Sequence, residues 1–222
     1  MDLHQSYQAI ETIVGAQDPQ PSLYTDPLLN QCAQARDLEL RAKSLNVDDS
    51  RNEIKWQCFY AAKYYKSAAI HLAEEASVAP ELVRESGYLL ASRLMRRSGQ
   101  RYSTAGYYGF HHTRAKAELS EPSCTYPPFH NFFFRAAESY AYAAIYAWKA
   151  GYRPEAHTCM KSAWWTLRAL ALTLPHKSKV FMNARRLIKY VPLHKRRRQL
   201  SPVKGPHVEF KRAVRRNKGR GR

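Results

Sequence analysis

Between residues 26 and 175 apolar side chains recur at helical spacing six times over, and no stretch alternates in the two-residue rhythm of a strand. Asp26-Pro27 reads as an N-cap followed by proline at the first helical position. Leu28, Cys32, Ala35, Ala42 and Leu45 then follow on one face. Ser50-Arg51-Asn52-Glu53 has the form of a capping box and opens a long helix striped by Cys58, Ala62, Tyr65, Ala69, Leu72, Ala73 and Ala76. Pro80 begins a third helix, and Gly99 is expected to end it. A fourth carries Ala105, Tyr108, His112, Ala115 and Leu119. Three prolines in SEPSCTYPPF, residues 120–129, make that stretch a loop. Phe133, Ala137, Tyr140, Ala144, Ala147 and Trp148 stripe a fifth helix that Gly151 ends. Pro154 opens a sixth with Ala156, Cys159, Met160, Ala163, Leu167, Leu170 and Leu174 on one side. Phe132, Phe133 and Phe134 cannot all face inward on one helix, so at least one must cover the preceding loop or meet a partner.

Charge divides the chain differently. From His176 to Arg222 there are 17 Lys or Arg and one acid, Glu209, whereas the preceding 175 residues hold 19 basic and 17 acidic side chains. The net charge of +18 is therefore a near-neutral body carrying a polycation. Cations clustered in this way point to a polyanionic partner, because each one set against a phosphate releases a condensed counterion. Within the segment, residues 177–191 are amphipathic: Val180, Ala184, Leu187, Ile188 and Val191 form a stripe able to dock on the body, with Lys177, Lys179, Arg185, Arg186 and Lys189 largely off it. Pro192 stops that pattern, and HKRRR (194–198) is the densest block. The remainder mixes proline, glycine and cations, a composition expected to be disordered alone.

These observations predict an all-α protein, an irregular array of antiparallel helical hairpins with a basic, partly disordered C-terminal extension. The expected division is an N-terminal arm (1–25), a helical hairpin domain (26–175) and a basic C-terminal helix and tail (176–222). The N-terminus, MDLHQSYQAIETIVGAQ, lacks the continuous apolar stretch of a signal peptide, and no run of 18 apolar residues occurs. The expectation is a non-secreted protein of cytoplasm or nucleus, with no membrane partner and with Cys32, Cys58, Cys124 and Cys159 as reduced thiols.

Two segments resemble each other: FYAAKYYKSAAI (59–70) and FRAAESYAYAAI (134–145) agree at seven of twelve positions without a gap. An internal duplication of a helical hairpin is the expectation. In residues 137–170, Tyr140, Ala144, Gly151, Ala156 and Ala163 stand at the aromatic, small and turn positions of a helix pair. With Tyr88, Ser92, Gly99 and Tyr108 in residues 85–118, the chain resembles the tetratricopeptide class of helical repeat over about residues 85–170. Thr104 and His111 stand where that pattern has small residues, and the two pairs are 52 residues apart instead of 34. The resemblance implies stacked hairpins with a concave peptide-binding groove. Separately, RYSTAGYYGFHHTRAKAEL (101–119) resembles a helix of the HEPN class, which includes ribonucleases. That resemblance would require an arginine, an adjacent polar residue and a histidine four to six residues beyond the arginine. Arg153-Pro-Glu-Ala-His157 is the nearest arrangement, with proline in the polar slot and a gap of three.

No catalytic residue is assigned. Cys124 with His130, and His157 with Cys159, lack the paired spacing of structural zinc, so no metal or cofactor is expected. His112 is read as a core histidine and His111 as facing solvent. The functional expectation is an RNA-binding, non-enzymatic component or accessory of a ribonucleoprotein, meeting other proteins of that assembly. RNA is preferred to DNA because no DNA-reading motif is visible. The candidate contacts are Arg185, Arg186, Lys189, Lys195, Arg196, Arg197, Arg198, Lys204, Lys211, Arg212, Arg215, Arg216, Lys218, Arg220 and Arg222, with Arg93, Arg96 and Arg97 as a secondary basic patch on the body. The alternatives are a helical-repeat protein–protein adaptor with a localisation tail, and a HEPN-like ribonuclease.

Overall fold

The computed structural model describes residues 3–47, 49–118 and 129–173, with side chains placed from residue 5 to 111 (Asp48 and Leu82 apart) and from 129 to 170. Loop 120–128, Cys124, His112, Ala115, Leu119, Leu174 and the whole basic segment lie outside those described side chains. Among the described residues every regular element is helical: α1 (Leu3–Gly15), a 3-10 turn (Pro21–Leu23), α2 (Pro27–Ser44), α3 (Arg51–Val78), α4 (Glu81–Glu118), α5 (Phe129–Lys149) and α6 (Arg153–Thr173). The chain is all-α, as its periodicity requires.

Local chemistry fixes most boundaries. The Asp26 carboxylate accepts from the Leu28 and Leu29 amides at 2.8 and 3.1 Å, capping α2 ahead of Pro27. At the end of α5, Gly151 adopts φ +73. Its amide donates to the Trp148 carbonyl, and the next amide, of Tyr152, donates to that of Ala147 at 2.8 Å. This pair of bonds is a Schellman closure, which needs the left-handed backbone that glycine provides without strain. The expected capping box at Ser50 is not formed: Ser50 precedes α3, but its side chain makes no cap hydrogen bond. Glu53 instead accepts from Gln57 one turn along.

Two expectations are corrected. Residues 3–15 are a helix, not an arm, and Tyr7, Ile10, Ile13 and Val14 are buried in the largest core cluster with residues of α2, α3 and α4. Gly99 does not end a helix either. Helix α4 runs unbroken for 38 residues, about 57 Å at 1.5 Å per residue, so residues 85–118 are one rod and not a hairpin. Gly99 serves a different purpose there. A Cβ built on it would stand 2.9 Å from the Tyr140 ring, and one on Gly106 would stand 2.9 Å from the Phe133 ring. Tyr140 and Phe133, two turns apart on α5, sit over glycines two turns apart on α4. Gly99→Ala should therefore destabilise by about 1–3 kcal/mol despite its better helix propensity, as overpacking does, with thermal unfolding as the measurement.

Helices pack chiefly on their sequence neighbours, and α4 is the hub. Its small polar residues bond to α3 and α5. Ser98 donates to the Ala62 carbonyl at 2.8 Å and lies 3.3 Å from the Ser139 hydroxyl, while Ser92 donates to the Ala143 carbonyl at 2.8 Å. Such close backbone approach is possible because Ala61, Ala62, Ala68 and Ala69 on α3 and Ala136, Ala137, Ala143 and Ala144 on α5 are all buried. Those are equivalent positions of the two similar segments. Helices α3 and α5 thus present the same alanine-rich face to one helix, and Lys66 reaches Glu138 between them at 2.6 Å. Phe132 and Phe133 are buried, whereas Phe134 is half-buried and turned to the flank.

Candidate nucleic-acid interface

The fifteen tail cations, from Arg185 to Arg222, lie outside the described residues. The structure does place their origin, because α6 runs to Thr173 and the basic segment begins three residues later. The body-side patch can be followed in detail. Arg93, Arg96 and Arg97 share one side of α4, but each meets an acid on a different helix. Arg93 pairs with Glu11 of α1, Arg96 with Glu155 of α6 at 3.3 Å, and Arg97 with Glu39 of α2 at 3.5 Å. These arginines tie three helices to the hub. They are not a patch of unpaired charge.

Glu39 is the centre of the largest charged cluster among the described residues, and only 5% of it is exposed. Lys43 stands 3.0 Å from its carboxylate, Arg36 and Arg97 at 3.5 Å and Arg101 at 4.0 Å, while the Tyr65 hydroxyl donates to it at 2.9 Å. Burial by itself would push the Glu39 carboxyl up. Arg101, the hydrogen bonds from Lys43 and Tyr65 and the Lys43 charge outweigh it, so the group sits below the ordinary carboxylate value. Two of these cations have a second duty. Arg36 donates to the Ala16 carbonyl at 2.7 Å and Arg97 to the Val14 carbonyl at 3.2 Å. Cations at the C-terminal end of α1 satisfy orphan carbonyls and oppose the negative end of the helix dipole. The excess of positive charge around Glu39 is therefore a lock joining α1, α2, α3 and α4. Sequence reasoning missed it. Arg36, Glu39 and Lys43 have a readable i, i+3, i+7 spacing that sets both cations within one turn of the acid, but Arg97 and Arg101 are about sixty residues away along the chain.

The histidine candidates do not converge. His157 is exposed while Cys159 is buried, on different sides of α6. Arg153 lies over the Trp148 ring at 5.5 Å. His111 is half-buried, its ring centroid 4.5 Å from that of Tyr107, so it does not face solvent freely. Among the described residues no group of three or more His, Cys, Asp or Glu could hold a metal ion. No helix among them is long and apolar enough to cross a membrane. Cys32, Cys58 and Cys159 are free and buried, and burial pushes their thiols up to about 12, 11 and 12. At neutral pH these three should stay unreactive toward a thiol reagent until the protein unfolds, leaving at most one fast-reacting thiol per native chain in a colorimetric titration.

Several large apolar side chains are exposed on the body, and some cations lie over aromatic rings. Tyr60, Ile70, Tyr142, Ile145, Trp148 and Tyr152 are exposed on α3, α5 and the turn after α5. Lys63 lies over the Phe59 and Tyr60 rings, and Arg168 over Trp164 at 5.0 Å and Trp165 at 5.5 Å. Comparisons with family models, with curated proteins and with solved structures each found no match for this chain.

Proposed function

We propose that this protein binds RNA through the cationic segment 176–222, as a non-enzymatic component or accessory of a ribonucleoprotein in the cytoplasm or nucleus. One observation carries the reading: the division of charge between a body whose acids nearly match its cations in number and a segment whose cations have almost no acids beside them. Glu11, Glu39, Glu138 and Glu155 each engage one or more body cations. The segment, by contrast, sets 17 cations against Glu209 alone. Electrostatic attraction for a polyanion therefore concentrates there, and an irregular Pro- and Gly-interrupted chain can follow phosphates on a folded RNA. Arginine outnumbers lysine in it, and guanidinium groups bridge phosphate oxygens in pairs. The three buried free thiols fit a reducing compartment.

Titration of fluorescent single-stranded and hairpin RNAs with the full chain and with a chain ending at residue 192 tests the reading. The shortened chain should bind at least tenfold more weakly at ~0.1 M salt. Equal affinity of the two chains would transfer the segment to localisation and favour the adaptor reading.

A further inference from the structure

The charges gathered at Glu39 do not cancel. Arg36, Lys43, Arg97 and Arg101 each stand within 4.0 Å of that one carboxylate, and among the described residues none of the four pairs with another acid. Arg93 and Arg96, by contrast, have an acid each, and Asp37 of α2 is taken by Arg41. Four cations against one carboxylate leave an excess of three charges. The end of α1, whose carbonyls accept from Arg36 and Arg97, offsets only about half a charge of it. The carboxylate also lacks room for so many donors. Lys43 and the Tyr65 hydroxyl meet it at 3.0 and 2.9 Å, but Arg97 at 3.5 Å and Arg101 at 4.0 Å lie beyond the usual N–H···O range. Exposure rises away from the acid. The Arg101 side chain is 19%, Arg97 35% and Lys43 54% exposed, so solvent reaches the cluster through these three.

We propose that Lys43, Arg97 and Arg101 form a phosphate-binding site on the body, at the outer edge of the Glu39 lock. A phosphate group brings charge of the sign the cluster lacks. Its several oxygens let one group meet a lysine ammonium and a guanidinium together, and a guanidinium can bridge two of them. Glu39 has a second use in this arrangement. It draws the three cations to one place before the phosphate arrives, so little side-chain freedom is lost on binding. Its own repulsion of the phosphate is exceeded by the attraction of three cations at similar range. Arg97 is further fixed by its bond to the Val14 carbonyl, and Arg101 by its contact with the Cys58 thiol. The phosphate belongs to a small soluble molecule or to an RNA backbone, and the chemistry that recognises it is the same. The inference is independent of what the segment 176–222 binds.

Thermal unfolding of the full chain in inorganic pyrophosphate, with ionic strength matched by sodium chloride, tests it. A ligand held only by the native protein raises the melting temperature, by about 3–6 °C at ten times its dissociation constant for a chain of this size. The parent should show a saturating rise of that order. Lys43→Gln should fold, because the exposed ammonium leaves three cations still facing Glu39, and it should lose most of the rise. Lys43→Arg, which keeps the charge, should retain it. Should Lys43→Gln melt too low to read, Arg101→Gln supplies the second variant, with the same loss expected. RNA titrations with the full chain then separate the two sources. Where an RNA phosphate uses the site, Lys43→Gln should make the log–log salt slope shallower by about 0.7, the value of one single-strand contact. An unchanged slope beside a lost pyrophosphate response assigns the site to a small phosphate. Three results would each overturn the proposal: no rise in the parent, an equal rise in Lys43→Gln and Arg101→Gln, or a rise that matched chloride reproduces.

Discussion

Glu39→Ala should be the most damaging single substitution on the body, lowering stability by about 3–5 kcal/mol, the cost typical of removing one partner from a buried ion pair. The side chains of Arg36 and Glu39 are both nearly inaccessible, at 8% and 7%. Removing the carboxylate leaves Arg36 and Arg101 charged without it, their side chains only 8% and 19% exposed. Lys43, more than half exposed, can turn to water, so the loss falls on the buried arginines and on the Tyr65 hydroxyl. The comparison is Asp37→Ala. Asp37 pairs with Arg41 at 2.8 Å, but the Arg41 side chain is 65% exposed, and surface pairs contribute about 0–1 kcal/mol. Chemical denaturation of both variants beside the parent is the measurement, and equal losses would show that the cluster holds nothing together. The pH dependence follows from the same carboxylate. Its native pKa lies below its unfolded value, so it binds fewer protons when folded. Its stabilisation is complete above the ordinary carboxylate range and is lost as pH falls through the lowered native value. The parent should therefore destabilise on acidification below about pH 5, and Glu39→Ala should show a shallower acid slope.

The lock also shows what sequence can and cannot reveal. Helices α2, α5 and α6 were readable because each carries one strong stripe and a boundary signal that acts locally: the Asp26 cap, the Gly151 closure, Pro154 in the first turn; α3 was readable from its stripe alone, since the Ser50 cap is not formed. Most of their stripe residues are the observed core, down to Tyr65 and Leu72 with no exposed surface, but Trp148 of the α5 stripe is exposed and Leu45 and Met160 are half-buried. Gly99 misled because glycine has two uses, ending a helix or admitting a neighbour's ring. Only the position of Tyr140, 41 residues later, decides between them. Helix α1 was missed although Tyr7, Ile10, Ile13 and Val14 have helical spacing. Its burial depends on a surface assembled from α2, α3 and α4, and the carbonyls at its end are satisfied by Arg36 and Arg97 from elsewhere. The arginines on α4 looked like one patch for a related reason. A shared helix face is legible in sequence, but the acids opposite come from α1, α2 and α6 and are not.

In the tail, composition alone sets the expected behaviour, and the expectation is quantitative. Each phosphate contact on a single strand contributes a slope of about −0.7 to the dependence of log affinity on log salt. Not all of the segment's 17 cations can reach phosphates at once on a folded RNA. With roughly 6–10 contacts the slope should be about −4 to −7, which amounts to a loss of roughly 10²–10⁴ in affinity between 50 and 200 mM salt. Changing Lys195, Arg196, Arg197 and Arg198 together to alanine removes three or four contacts and should make the slope shallower by about 2–3 units. That signature separates phosphate binding from a folding defect, since a destabilised body would lose affinity at every salt concentration without changing the slope. Base sequence should matter little to the tail alone, because phosphates position a protein without reporting sequence. Titrations of the parent and the fourfold variant at four or more salt concentrations supply the numbers. An unchanged slope would mean that residues 195–198 do not touch phosphate, and an equally steep slope after deletion of the whole tail would place RNA binding on the body.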